Sequence, residues 1–78
     1  MFWVYVIKCA DDTIYIGQTN DLDRRLREHH SGQVPRTKPR RPLTLLKAWK
    51  FDTREKAVEY EKKFKSGFGR QWIKKNLL

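Results

Sequence analysis

Tyr5, Tyr15, Arg25 and His29 bring two phenols, a guanidinium and an imidazole into the first thirty residues of this 78-residue chain. Glu61 adds a carboxylate further on. These are groups suited to activating water beside a phosphodiester. The His29 imidazole, with an unperturbed pKa of about 6.5, is the better intrinsic acid–base group. A phenol, at about 10, is a poor base at neutral pH unless cations lower its pKa. Arg25, a metal and a neighbouring imidazole would do this. The Arg25 fork matches a phosphate and stays charged at any working pH. Each group also has a plainer role open to it: core packing for the tyrosines, surface charge beside Arg24 and Arg27 for Arg25, a salt bridge for Glu61. His30 reads as a solvated histidine at a helix end.

The elements that must position these groups can be read in order. Phe2–Cys9 is a nearly unbroken apolar and β-branched run, the pattern of a central strand buried on both faces. Ala10-Asp11-Asp12 forms a turn, and Thr13–Gly17 returns as a second strand. With a three-residue loop, Cys9 faces Thr13, Ile7 faces Tyr15 and Tyr5 faces Gly17. Tyr5 and Tyr15 then project on one side as diagonal neighbours. A two-residue loop would send Tyr15 to the opposite face. Gly17, without a side chain, leaves open space beside Tyr5. Gln18 and Thr19 follow at a strand-to-helix junction, where backbone N–H groups can receive a phosphate.

Thr19 or Asn20 is expected to cap a helix whose first turn holds Asp21 and Asp23, as the helix dipole prefers. Leu22 and Leu26 mark its buried stripe, and Ser31-Gly32 ends it. Arg25 and His29, four residues apart, share one face adjoining that stripe. Gln33–Pro42 follows, with Pro35, Pro39 and Pro42 among Arg36, Lys38, Arg40 and Arg41. Three prolines argue against regular structure and for a semi-stiff cationic loop that binds a nucleic-acid backbone.

Leu43–Phe51 alternates as a third strand. Asp52 or Thr53 then caps a second helix with Glu55 in its first turn. Its apolar stripe contains Ala57, Tyr60 and Phe64, and Glu61 lies within that stripe. A carboxylate there must be paired or must hold a metal. Lys65, one turn on, reads as its structural partner or as a phosphate contact. Gly67 and Gly69 break the helix, and Arg70–Leu77 forms a closing one with Trp72, Ile73 and Leu77 inward. The order ββαβαα describes an α+β fold: a small three-stranded antiparallel sheet flanked by three helices, in a single domain over residues 1–78.

A chain of this size buries only about 60–65% of its unfolded surface, so ten large aromatics matter to its core. One cysteine, Cys9, excludes an internal disulfide and a cysteine-based zinc site. Its place in an apolar run suggests a buried thiol and a reducing cytoplasm. No apolar run reaches the length of a membrane span. Net charge is +9 with a pI of about 10.1, and it is uneven: −3 over residues 1–23, +8 over 24–50 and +4 over 51–78. A basic middle and end favour a polyanionic partner, nucleic acid above all.

Val4-Tyr5-Val6, followed by the stretch from Tyr15-Ile16-Gly17 through Arg25 to His29, resembles the core of the GIY-YIG nuclease superfamily. The likeness is closest to small stand-alone bacterial members that are similar to the N-terminal nuclease domain of the repair excinuclease. It extends across most of the chain, because Ala57, Glu61 and Lys65 look like the family's later metal-site helix. The first motif lacks the family's glycine but keeps its tyrosine. The resemblance implies a metal-dependent DNA endonuclease, possible in DNA repair or recombination, that leaves 5′-phosphate and 3′-hydroxyl ends. Tyr5, assisted by His29, is then expected to activate the water and Tyr15 to hold it. Arg25 would neutralise the phosphate, and Glu61 would bind one Mg²⁺ or Mn²⁺ ion. Asn76 matches a late family asparagine only loosely. A protein partner could supply substrate specificity. The alternative is a non-catalytic basic nucleic-acid-binding module on the same fold. The full set of Tyr5, Tyr15, Arg25, His29 and Glu61 argues for the enzyme, since plain binding needs neither paired phenols nor a carboxylate in an apolar stripe.

Overall fold

Phe2–Lys8 (β1) is flanked on both edges, as its apolar run requires: a computed structural model describing residues 1–78 gives a sheet in the order Ile14–Thr19 (β2), β1, Thr44–Phe51 (β3). Both pairings are antiparallel. Three helices complete the chain: Leu22–Ser31 (α1), Arg54–Lys65 (α2) and Gly67–Asn76 (α3). The order is the ββαβαα expected from the sequence.

The hairpin has the three-residue loop. The Cys9 N–H donates to the Thr13 carbonyl and the Asp12 N–H to that of Cys9, with Asp12 at φ 68°. Aspartate tolerates this left-handed position better than most residues. Tyr5 therefore pairs with Gly17 and Ile7 with Tyr15, the expected register. β2 runs on to Thr19, two residues past Gly17.

Alternation along β1 builds two cores. Val4 and Val6, with Ile16, pack under Ala57 and Phe64 of α2 and Ile73 of α3. Tyr5, Ile7 and Cys9 face the other way, toward Leu22 and Leu26 of α1 and toward Leu43. Cys9 is a buried free thiol, as anticipated. Helices thus cover both faces, and the two edge strands β2 and β3 remain open at the sides.

Local details differ from the sequence expectation in three places. Asp21, not Thr19 or Asn20, caps α1 by accepting from the Arg24 N–H, while the Thr19 hydroxyl accepts from the Asp21 N–H. The proline-rich loop contains a 3₁₀ turn at Lys38–Arg40, with Pro39 in its first positions where no N–H is needed. Finally, α3 starts at Gly67 rather than Arg70, so the glycines open the helix instead of separating two. Gly69 is required there because a Cβ would run into the Phe64 backbone, whereas nothing lies within 4 Å of a Cβ at Gly67. Gly69→Ala is expected to lower stability by about 1–3 kcal/mol through overpacking. Gly67→Ala should leave it unchanged or slightly higher, and urea unfolding of both variants measures the contrast.

Candidate active site

Tyr5 is fully buried, and its hydroxyl lies 2.9 Å from Nε2 of His29, which is also fully buried. The ring cluster continues outward to Tyr15, whose centroid is 6.2 Å from Tyr5 and 5.1 Å from His29. Both phenols and the imidazole therefore stand on the α1 face of the sheet. Gly17 makes this possible, and the space beside it is not open as expected. The Tyr5 phenol fills it, and a Cβ there would sit 2.5 Å from the Tyr5 oxygen. On the far side of the ring, His29 Nδ1 is 2.8 Å from the hydroxyl of Thr37, another fully buried residue.

Enclosure changes the acid–base character of this pair. Burial pushes the Tyr5 phenol up to about 12, even though the adjacent Arg25 guanidinium pulls the other way. The sequence points to a lowered phenol, but desolvation outweighs the cation. His29 is pushed down to about 4 by burial first and by the Arg25 charge second. Tyr5 and His29 are thus a neutral, water-excluded pair rather than groups open to a water molecule. Tyr15 is the phenol with solvent access.

Arg25 is half-buried, lies against the Tyr5 phenol, and forms a 3.1 Å ion pair with Glu28. Arg24, by contrast, is exposed and bonds Asn20. The helix turn thus aims Arg25 and not its neighbour at the phenols. Gln18 lies with Arg25 on a small hollow of about 260 Å³ that also takes in Arg24 and Arg54.

A larger basin, about 770 Å³, wraps the open edge of β2. Tyr15 reaches it from one face of the sheet, and Ile14 and Ile16 from the other. Arg36 and Arg40 of the proline-rich loop, Lys65 of α2 and Arg70 of α3 bring four cations to its walls. Three of the six expected DNA contacts, Arg36, Arg40 and Lys65, therefore meet here. Lys38 is exposed elsewhere on the loop, and Arg41 is committed to structure. Its guanidinium lies over Gly32 and donates to the carbonyls of Lys38 and His30, closing the end of α1. That engagement removes it from the set of free phosphate ligands. Asn76 is exposed and bonds the Trp72 carbonyl of its own helix, with no part in the cluster.

Residues 1–76 match the GIY-YIG catalytic domain. The chain belongs to the GIY-YIG family. It is 42% identical to a UPF0213 protein of Lactococcus lactis subsp. cremoris, over 97% of this chain and 83% of that one. A UPF0213 protein of Haloquadratum walsbyi is 40% identical, covering 82% of this chain and 73% of the relative. The fold matches the solution NMR structure of a UPF0213 protein from Bacillus halodurans with a TM-score of 0.61 and 33% identity, over 99% of this chain and 87% of that one. The small stand-alone group is thereby the right branch, and a nuclease-type domain that engages DNA is what this family implies. No helix is long and apolar enough to cross a membrane.

The metal expected of a GIY-YIG domain has to be judged on its donors. Glu61 sits on α2, which packs on the sheet face opposite the phenols. Its side chain is 17% exposed, and its only partner is Lys65 at 3.8 Å. No cluster of three or more histidine, cysteine or acidic side chains exists. One carboxylate alone does not suit zinc, which needs three or four protein ligands. It does suit Mg²⁺ or Mn²⁺, which keep waters and complete their shell with substrate phosphate. Glu61 therefore fits as a single hard-oxygen ligand.

Two residues of this candidate site escape a reading of the sequence. Arg70 stands there only as the start of a closing helix, and Thr37 is not singled out within the cationic loop. Placement of Thr37 between two prolines gives a weak signal at most. The buried pair makes a pH prediction. His29 is neutral in the fold but protonates near 6.5 once unfolded, so its stabilisation is complete above about 6.5 and fades as pH falls toward 4. Tyr5 works on the alkaline side: its stabilisation is complete below about 10 and is lost as pH rises toward 12. Urea midpoints against pH should form a plateau between these limbs, and His29→Gln should flatten the acid one.

Proposed function

We propose that this GIY-YIG domain is a divalent-metal-dependent endonuclease that hydrolyses DNA phosphodiesters at the edge of β2. The observation that carries the reading is the convergence of the solvent-accessible Tyr15 phenol with Arg36, Arg40, Lys65 and Arg70 on one basin, backed by the Tyr5–His29 pair and Arg25. Because Tyr5 is buried, this reading gives the water-contacting role to Tyr15 instead. In this reading, Tyr15 holds and orients the attacking water through its hydroxyl. Tyr5 and His29, excluded from water, hold the Tyr15 ring and Arg25 in register. Arg25 offers its fork to the non-bridging oxygens, where fixed charge in a dry site contributes most. The basin cations hold the flanking phosphates. Glu61 would hold the single Mg²⁺ or Mn²⁺, and Lewis acidity at the phosphate is what such an ion supplies when bound. A role in repair or recombination and a specificity-giving protein partner belong to the same proposal.

Burial of Tyr5 and His29 also suits a purely structural role, so a non-catalytic binding domain is the reading to beat. Purified protein with supercoiled plasmid and branched oligonucleotides, with and without Mg²⁺ or Mn²⁺, separates the two. Wild type should nick only with metal, and Glu61→Ala and Arg25→Ala should abolish nicking while Arg24→Ala retains it. Equal nicking by wild type and Glu61→Ala would point to contamination and remove the case for an enzyme.

Binding offers a separate check. Each phosphate contact adds about −0.9 to the slope of log K against log salt on duplex DNA. Alanine at Arg36, Arg40, Lys65 or Arg70 should therefore flatten the slope by close to one contact each. Arg41→Ala should leave it unchanged, because that guanidinium is bound to backbone carbonyls.

A further inference from the structure

The hollow of about 260 Å³ at the far end of β2 gathers three guanidiniums, those of Arg24, Arg25 and Arg54, around one carboxylate, Glu28. Glu28 pairs with Arg25, and Asn20 accepts from Arg24, which leaves Arg54. The Arg54 guanidinium makes no hydrogen bond or ion pair and lies over the Phe2 ring, 5.1 Å from its centroid. The Gln18 amide beside it on β2 is likewise without a hydrogen-bond partner. We propose that this hollow holds a backbone phosphate of the cleaved DNA strand, on the far side of the scissile bond from the basin, with Arg54 as its ligand.

Stability of the fold does not account for Arg54. It is the first residue of α2, where the helix dipole disfavours a cation. Asp52, two residues before it, is taken by Lys56. Three like charges around one hollow repel unless an anion joins them. The volume falls below the roughly 300–1,000 Å³ of pockets that enclose whole ligands, and it suits a phosphate. Phe2, packed against the core under α2, braces the guanidinium and leaves its N–H groups free. Position along β2 then says which phosphate this is. Tyr15 lines the basin, while Gln18 and Thr19 line the hollow. Three residues of strand span about 10 Å, and a duplex DNA strand advances about 3.4 Å per nucleotide, so the two stations lie about three nucleotides apart. On the α1 face no side chain of β2 stands between Tyr15 and Thr19, because residue 17 is glycine. Tyr15 belongs to the basin and Arg25 to the hollow, so a phosphate served by both sits between them, with its strand running into each. Such a strand meets Arg36, Arg40, Lys65 and Arg70 on one side of the cut and Arg54 on the other.

Occupancy of the hollow by phosphate stands on its own geometry, while its place beside the cut rests on the nuclease reading above. Binding without metal tests the first. On duplex DNA, Arg54→Ala should flatten the slope of log K against log salt by about 0.9, the share of one phosphate contact. Arg36→Ala should do the same, and the double variant should flatten it by about 1.8. Lys56→Ala, on the same exposed turn but held by Asp52, should leave it unchanged. A wild-type slope in Arg54→Ala, or an equal loss in Lys56→Ala, overturns the proposal. Cleavage tests the second, with oligonucleotides that carry one neutral methylphosphonate at successive positions. Wild type should be slowed by neutralisation on either side of the cut. Arg54→Ala should lose that sensitivity on one side only and Arg36→Ala on the other, each acting on KM rather than kcat. Loss on the same side in both variants, or in neither, overturns the placement. If wild type cleaves nothing, the nuclease reading fails while the salt slopes still decide whether the hollow holds a phosphate.

Discussion

A phenol with no route to water sets the terms for the rest of this structure. The Tyr5 hydroxyl is enclosed between the backbone at Gly17 and the imidazole of His29. A buried hydroxyl without a partner costs on the order of 1–3 kcal/mol, so the hairpin, α1 and the proline-rich loop must all deliver their groups together. The hairpin supplies the missing side chain at residue 17. The helix supplies His29, and the loop supplies Thr37 behind it. No buried polar side-chain atom is left without a partner, so the polar cluster is complete and does not weaken the core.

Completing that cluster separates structural from solvent-facing chemistry. Tyr5 stays neutral because desolvation outweighs the pull of Arg25, and His29 because desolvation and the Arg25 charge act together. Tyr15, beside them, keeps access to the basin, while Arg25, against the Tyr5 phenol, opens on the smaller hollow with Gln18. The inner pair is thus a rigid template, and the outer groups are the ones free to meet a substrate. A site supported in this way holds its geometry through packing and hydrogen bonds rather than through the substrate.

The sheet order matters as much as the cluster. Because β2 is an edge strand, groups from its two faces can meet around its open side. Tyr15 comes from the α1 face, while Lys65 and Arg70 come from helices on the other face. The proline-rich loop closes the third side with Arg36 and Arg40. Such an edge is usually an aggregation hazard. Here cations line the basin beside it, which opposes strand addition and favours a polyanion.

The sequence by itself determined the element order and, given a three-residue hairpin loop, the common face of Tyr5 and Tyr15, because strand alternation depends only on local spacing. Helix periodicity together with the family resemblance also distinguished Arg25 and His29 from Arg24, Arg27 and His30. Tertiary structure decided what those residues became. Burial is a sum over neighbours from distant segments, and it made Tyr5 a poor acid and His29 a poor base where the sequence suggested the reverse. Arg41 and Arg40 are adjacent and chemically alike, yet one closes a helix end and the other lines a basin. Only the path of the folded loop separates them. Gly69 and Thr37 were hidden for the same reason: a close approach between two helices, and a hydroxyl paired eight residues back along the chain, exist only once the segments have packed.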